Sequence, residues 1–260
     1  MKQFDPKTLK QLYRPGKDSH KGENGKLLII GGSELFHSAS MWALEAASRI
    51  VDIVFYSSVA VNEQIIRKQK ERFQNGIIVP QGKLDEYVAE ADCILIGPGM
   101  ERTKETADKT NYLLKKFKGK KWVIDGGALQ MMDKKLLNKN MIITPHHQEY
   151  KLLFGQEKIE TAAQKYGCTI VLKGREDVIC DANKCLINRT GNEGMTKGGT
   201  GDVLAGLIAA LYCKNKAFLA ASCGIYLNGL AGDRLYVLVG PYFNASDLVK
   251  EIPRVMGEML

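Results

Sequence analysis

One stretch decides how this chain is read: Gly191-Asn192-Glu193-Gly194-Met195-Thr196-Lys197-Gly198-Gly199-Thr200-Gly201-Asp202, which runs directly into the apolar segment Val203–Cys213. A glycine-rich loop lets backbone N–H groups approach an anion with no Cβ in the way. The start of the helix that follows adds about half a positive charge and unpaired donors aimed at the same point. Asp202 could be the N-cap of that helix, a position aspartate fills well. Capping, however, does not need a run of glycines ahead of it. An aspartate beside an anion hole is suited to take the proton of a hydroxyl that attacks a phosphoryl group.

Outward from this loop, short apolar runs alternate with longer amphipathic stretches. That pattern predicts an α/β fold with a largely parallel central sheet. Strands are predicted at Leu27–Ile30, Ile53–Ser57, Gly76–Val79, Cys93–Ile96, Trp122–Ile124, Met141–Thr144, Thr169–Leu172, Val178–Cys180 and Cys185–Asn188. Helices are predicted near 38–50, 62–73, 102–118, 147–154 and 158–166. The last two strands, split by residues 181–184, read as a hairpin. Beyond the glycine loop, helices near 200–213 and 216–232 are apolar nearly all round and so are expected to be buried. A final helix near 246–257 is expected to start at a Ser246-Asp247 cap. With no linker or repeat, residues 1–260 read as one domain, with a basic N-terminal segment, 1–25, packed on it.

Ligands of open α/β sheets bind beyond the carboxyl ends of the strands. Here those ends run into Gly31-Gly32-Ser33, Gly97-Pro98-Gly99, Asp125-Gly126-Gly127, Pro145-His146-His147 and Lys173-Gly174. Each alone could be an ordinary turn; together they predict a rim of backbone and small side chains around a sizeable ligand. Other templates are absent: no P-loop Gly-Lys-Ser/Thr, no Gly-x-Ser-x-Gly elbow, no His-Glu-x-x-His. The four histidines cannot support a metal site by themselves.

Composition bounds the function further. Of 260 residues, 45% are hydrophobic and 25% charged, enough to bury a core, and the net charge of +8 favours anionic partners. Basic residues outnumber acidic ones seven to three in 1–26 and eight to three in 101–121, and the second stretch is mixed enough to read as one solvated helix face rather than a nucleic-acid patch. The six cysteines form no Cys-x-x-Cys, and several sit in apolar runs, where thiols behave as small hydrophobes. No secretory h-region opens the chain, and the longest uncharged runs, 203–213 and 217–232, are shorter than the ~18 residues of a membrane span. A reduced, cytoplasmic protein is expected, with no nucleic-acid or membrane partner.

The Gly191–Asp202 loop resembles the anion hole and catalytic aspartate of the ribokinase-like superfamily. More narrowly, the chain resembles the ADP-dependent NAD(P)H-hydrate dehydratases. Ser19-His20-Lys21-Gly22, Gly25–Ser33, Gly97-Pro98-Gly99, Thr144-Pro145-His146, Leu172-Lys173-Gly174, the loop itself and Ala245-Ser246-Asp247-Leu248 carry the resemblance. It implies a three-layer α/β/α fold and the dehydratase unit alone, without the epimerase domain often fused ahead of it. The implied reaction restores (6S)-hydrated NADH or NADPH to the dihydronicotinamide, with ADP as phosphoryl donor and Mg2+ on the phosphates. By position, Asp202 would be the base, and the backbone of Gly198, Gly199, Thr200 and Gly201 would hold the transferring phosphoryl group. Ala39, Gly99, His146 and Asp202 match contacts to the hydrated nicotinamide nucleotide. Lys173, Gly174, Arg175, Glu176, Asp177, Asn192 and Gly201 match the nucleotide side. The family is commonly homotetrameric. The chain departs from the usual pattern at Ser38, Gly127, His147-Gln148, Arg175–Asp177, Glu193 and Lys197, none of which alters Asp202 or the glycines beside it. A ribokinase-like kinase for a vitamin or sugar alcohol would share the loop and the aspartate, and a non-catalytic nucleotide binder would tolerate loss of Asp202.

Overall fold

The computed structural model describes residues 1–69, 74–80 and 82–260. The expected strands assemble, with a further pair at Lys2–Gln3, into a ten-stranded sheet. In chain order these are β1 (Lys2–Gln3), β2 (Lys26–Ile30), β3 (Ile53–Ser57), β4 (Ile77–Ile78), β5 (Cys93–Ile96), β6 (Lys121–Ile124), β7 (Met141–Ile143), β8 (Thr169–Leu172), β9 (Asp177–Cys180) and β10 (Cys185–Asn188). Their order across the sheet is β1-β10-β9-β8-β7-β6-β5-β2-β3-β4. Strands β2 to β8 pair in parallel, and among the described residues only the β8–β9 and β9–β10 ladders are antiparallel.

Because side chains alternate along a strand, each one feeds two cores. Leu27, Ile29, Cys93, Leu95, Val123 and Ile142 enter one; Leu28, Ile30, Ile94, Ile96, Trp122 and Ile143 enter the other. The first core is closed by α1 (Ser38–Ala47), α8 (Thr200–Lys214), α9 (Ala217–Val239) and α10 (Ala245–Met259). The second is covered by α3 (Leu84–Glu90), α4 (Lys104–Lys116), α5 (Gly126–Met131), α6 (His147–Phe154) and α7 (Ile159–Tyr166). A further helix, α2 (Ala60–Gln69), follows β3.

The apolar helix α8 lies at the centre of its layer, as its sequence predicts. From Val203 to Cys213 every residue is buried. Gly206 explains how close its neighbour comes: any Cβ there would collide with the backbone of Ala43 on α1. The N-terminal segment packs through Phe4, Leu9 and Leu12, and β1 pairs with β10.

Several details differ from the sequence reading. The helix expected at 62–73 spans Ala60–Gln69, and residues 70–73 lie outside the described residues. The last helix is capped by Asn244, whose side chain accepts from the N–H groups of Ser246 and Asp247, so it starts ahead of Ser246-Asp247. The expectation of fully reduced cysteines is also corrected. Cys180 and Cys185 face each other across the β9–β10 hairpin, 4.2 Å apart at Cα, and are joined as a disulfide. Cys93, Cys168, Cys213 and Cys223 are free and buried.

Candidate active site

Three adjacent parallel strands end side by side at the start of α8. Asp125 follows β6, Thr144 follows β7 and Lys173 follows β8, whose parallel pairing with β7 extends to a bridge between His146 and Lys173. Asp125 occupies the N-cap position of α5 but makes no side-chain capping bond. Its Oδ1 instead accepts from Thr144 Oγ1 at 2.7 Å and from Lys173 Nζ at 3.1 Å. The pair is largely buried, with the Lys173 side chain 20% and the Asp125 side chain 6% exposed. A Cβ built on Gly201 would lie 3.6 Å from Lys173 Nζ, so the ammonium sits against the first turn of α8.

The loop before α8 is held from several directions. The carboxylate of Asp233, on α9, accepts from Gly191 N–H at 3.0 Å and from Asn192 Nδ2 at 3.0 Å. Thr200 Oγ1 donates to the carbonyls of Met195 and Lys197. The Lys197 ammonium donates to the carbonyl of Pro241. The residue that opens the helix is Gly199, at φ +96°, a left-handed conformation that side chains disfavour. Any Cβ there would also collide with the indole of Trp42. Trp42 is itself fixed by Nε1 donating to Ser246 Oγ at 3.0 Å.

Gly199, and not Asp202, is therefore the N-cap of α8; Asp202 stands in the first turn. Burial and then the neighbouring Asp125 carboxylate push the Asp202 carboxyl up to about 7, with Lys173 opposing and Glu149 adding to the rise. Burial works against the charge on Lys173, but Asp125 and then Glu149 outweigh it and hold its pKa above the ordinary lysine value. Glu149 is committed elsewhere: its oxygens accept from Gln130 Nε2 and from the backbone N–H of His146. The outcome is a charged lysine and a carboxyl that titrates near neutrality, side by side at a helix N-terminus.

A cleft of about 850 Å³ opens from this point. Lys173, Gly174, Arg175, Glu176, Asp177, Asn192 and Gly201 all line it, together with Thr200. Asp177 is fixed by bonds from Asn188 Nδ2 and Gly174 N–H. At the rim Arg189 Nε donates to Glu176 at 2.6 Å. Gly198 lies in the loop leading to this wall, where a Cβ would meet open space.

Ala39, Gly99 and His146 do not line that cleft. Ala39 and Gly99 come together beyond β2 and β5, where a Cβ on Gly99 would stand 2.9 Å from the Cβ of Ala39. His146 lies beyond β7 and caps α6, its Nδ1 accepting from the N–H groups of Gln148 and Glu149. His147 packs against Gly174. Ser19 and Gly22 belong to a turn tied to Asn24 and Asp52, on the far side of β2 from its carboxyl end.

Sequence reasoning missed four contributors. Trp42 lies on a stretch whose pattern reads as an amphipathic helix, Asn228 on one that reads as core and Asp233 just past the expected end of that helix at 232, while Asp125 is expected in the ligand rim but with no role of its own. Asn228 lines the cleft, and its Oδ1 is buried without a hydrogen-bond partner among the described residues. An unpaired polar atom inside an apolar helix is the sort of signal that marks a ligand contact.

The parallel sheet flanked by helices, with a glycine-opened helix and an uncapping aspartate at its strand ends, places the chain in the ribokinase-like fold class. A ribokinase-like superfamily protein of Enterococcus faecalis superposes with a TM-score of 0.89 at 25% identity, over 99% of this chain and 96% of that one. The ADP/ATP-dependent NAD(P)H-hydrate dehydratase of Bacillus subtilis, co-crystallised with ATP and Mg2+, gives 0.81 at 24% identity over 100% and 99% of the two chains, a likeness of fold.

Residues 27–254 match the NAD(P)H-hydrate dehydratase family, to which the chain belongs. It is 41% identical over 95% of its length to the bifunctional NAD(P)H-hydrate repair enzyme of Methanocaldococcus jannaschii, of which it spans 51%. It is 34% identical to the ADP-dependent (S)-NAD(P)H-hydrate dehydratase of Cenarchaeum symbiosum, over 92% of this chain and 91% of that one.

Proposed function

We propose that this chain dehydrates (6S)-hydrated NADH and NADPH back to the dinucleotides, with ADP as the phosphoryl donor. The observation that carries this reading is Asp202: it does not cap its helix, it titrates near 7, and it stands beside a buried ammonium at a helix start. Asp202 Oδ takes the proton of the C6 hydroxyl as that oxygen attacks the β-phosphorus of ADP. The bond from that phosphorus to the bridging oxygen breaks, and its electron pair leaves with AMP. The Gly198–Gly201 backbone and Lys173 hold the transferring phosphoryl group. Hydroxide leaves poorly and phosphate well, so the ring-nitrogen lone pair then expels phosphate from C6. Loss of the C5 proton restores the ring double bond.

In this reading Lys173, Gly174, Arg175, Glu176, Asp177, Asn192 and Gly201 take the nucleotide, and Ala39, Gly99 and His146 the hydrated nicotinamide. Mg2+ would neutralise phosphate charge. Among the described residues no cluster of three or more His, Cys, Asp or Glu could hold a metal ion, so the site has no ready-made cage and no step is assigned to the metal. The exposed Val237, Leu238 and Tyr242 near the end of α9 support self-association, here proposed as a homotetramer. No described helix is long and apolar enough to cross a membrane, and a cytoplasmic location is proposed.

The test is the return of dihydronicotinamide absorbance when purified protein and Mg2+ meet hydrated NADH with ADP, with ATP, or with neither. A rise only with ADP supports the whole reading, and a rise with ATP changes the donor. A stable phosphomonoester in place of free phosphate would replace dehydration by simple kinase chemistry.

A further inference from the structure

The buried pair Lys173–Asp125 raises a question the reaction scheme leaves open. Two carboxylates act on the Lys173 ammonium from neighbouring elements, Asp125 after β6 and Asp202 in the first turn of α8. The ammonium is bonded to Asp125 at 3.1 Å and acts on Asp202 only through space. The groups facing Asp202 are Asp125, Lys173 after β8 and Glu149 on α6. Glu149 is already engaged by Gln130 and His146, which leaves Asp125 and Asp202 as rivals for one cation. Asp125 wins because its carboxylate has turned away from its own helix and is fixed by Thr144.

We propose that Asp125 is a positioning residue that anchors the Lys173 ammonium at the start of α8 and clear of Asp202, so that Lys173 meets the transferring phosphoryl group while Asp202 remains free to take the hydroxyl proton. Without that anchor Lys173 turns to Asp202. The base is then neutralised by an ion pair, and the phosphoryl group loses its cation. This inference rests on the phosphoryl-transfer reading of the site, not on which hydroxyl is phosphorylated.

Two measurements test it. In the first, the pH profile of turnover is compared between wild type and Asp125→Asn. The acid limb set by Asp202 moves to lower pH by about one unit, since a carboxylate neighbour is replaced by an ammonium partner. In parallel, kcat falls by about 10²-fold, the order for a displaced reacting group, while KM for ADP changes little. Deleting the Asp125 charge lowers the limb by itself, so the deciding readout is a variant that keeps every charge, in which a merely structural role leaves the limb unmoved. Thr144→Val, which loosens Asp125 but keeps every charge, moves the limb in the same direction by less, and replaces Asp125→Asn should that variant not fold.

The second measurement needs no activity. Asp202→Asn is introduced into wild type and into Asp125→Asn, or into Thr144→Val, and thermal midpoints are compared at about pH 8, where a carboxyl titrating near 7 is ionised. In wild type the substitution stabilises, because it removes a buried like-charge contact. Beside Asp125→Asn it destabilises, because Asp202 has become the carboxylate paired with Lys173 while Glu149 stays engaged by Gln130 and His146; beside Thr144→Val the stabilisation shrinks. An equal gain in both backgrounds, or an unmoved acid limb in an active variant, overturns the proposal. Reversal of the gain in a protein that does not turn over hydrated NADH would sink the dehydratase reading and leave the positioning role standing.

Discussion

Replacing Asp202 by asparagine should make this protein more stable at neutral and alkaline pH while removing most of its activity. The sign follows from the site. Burial and Asp125 raise the folded-state carboxyl from 3.8 to about 7, so between these values the folded chain keeps a proton that the unfolded chain has released. The wild type therefore loses stability as pH rises through that window and levels off above it. Asparagine carries no proton to lose and shows no such slope from this position. At about 1.4 kcal/mol per tenfold change in proton affinity, the gain above neutrality has an upper bound of about 4 kcal/mol. Partial solvent access screens this, and about 1–3 kcal/mol is expected, or roughly 2 to 10 °C in the thermal midpoint for a chain of this size. Thermal melts of both proteins across the acid-to-alkaline range give the comparison. Turnover should drop by about 10²–10⁴-fold with nucleotide binding retained, the usual range for loss of a general base. Parallel stability curves for the two proteins would refute the placement of Asp202 as a buried, proton-holding carboxyl.

Turnover of the wild type should rise with pH through about 7 as Asp202 loses its proton, a limb that a pH series on kcat would read directly. Asn228→Leu should weaken nucleotide binding while leaving stability unchanged or improved, because it removes a buried unpaired oxygen from the cleft wall; calorimetric titration with ADP alongside a melt checks both signs. Gly206→Val should cost about 1–3 kcal/mol or more by wedging α8 from α1, measured by urea unfolding. Reducing Cys180–Cys185, five residues apart, should cost no more than about 2 kcal/mol, because so short a loop gains little from closure; melts with and without reductant decide it.

Much of the fold was open to reading because its strands are short runs of Leu, Ile and Val that only a buried parallel sheet accommodates. Helix α5 escaped because it opens on Gly126-Gly127, residues of poor helical propensity. Tertiary crowding overrides that propensity: a Cβ on Gly127 would collide with the backbone of Met100. Helix α3 is only 7 residues long and β1 only 2, too short for periodicity to register. The disulfide escaped because Cys180-x-x-x-x-Cys185 is not a recognised spacing, and only the hairpin register puts the two side by side.

By itself the sequence determined the alternating α/β layout, the buried helix α8 and the glycine loop with Asp202 at its end. These follow from local pattern: hydrophobic period, backbone freedom and the chemistry of one carboxylate. Only the tertiary structure decided which charges meet there. Asp125 and Lys173 are 48 residues apart, and the side-by-side ends of β6, β7 and β8 bring them together. The pKa of Asp202 depends on burial and on those neighbours, neither of which is a property of adjacent residues. Position along the chain names the candidate base, and the packing of three strand ends decides whether it can hold and release a proton.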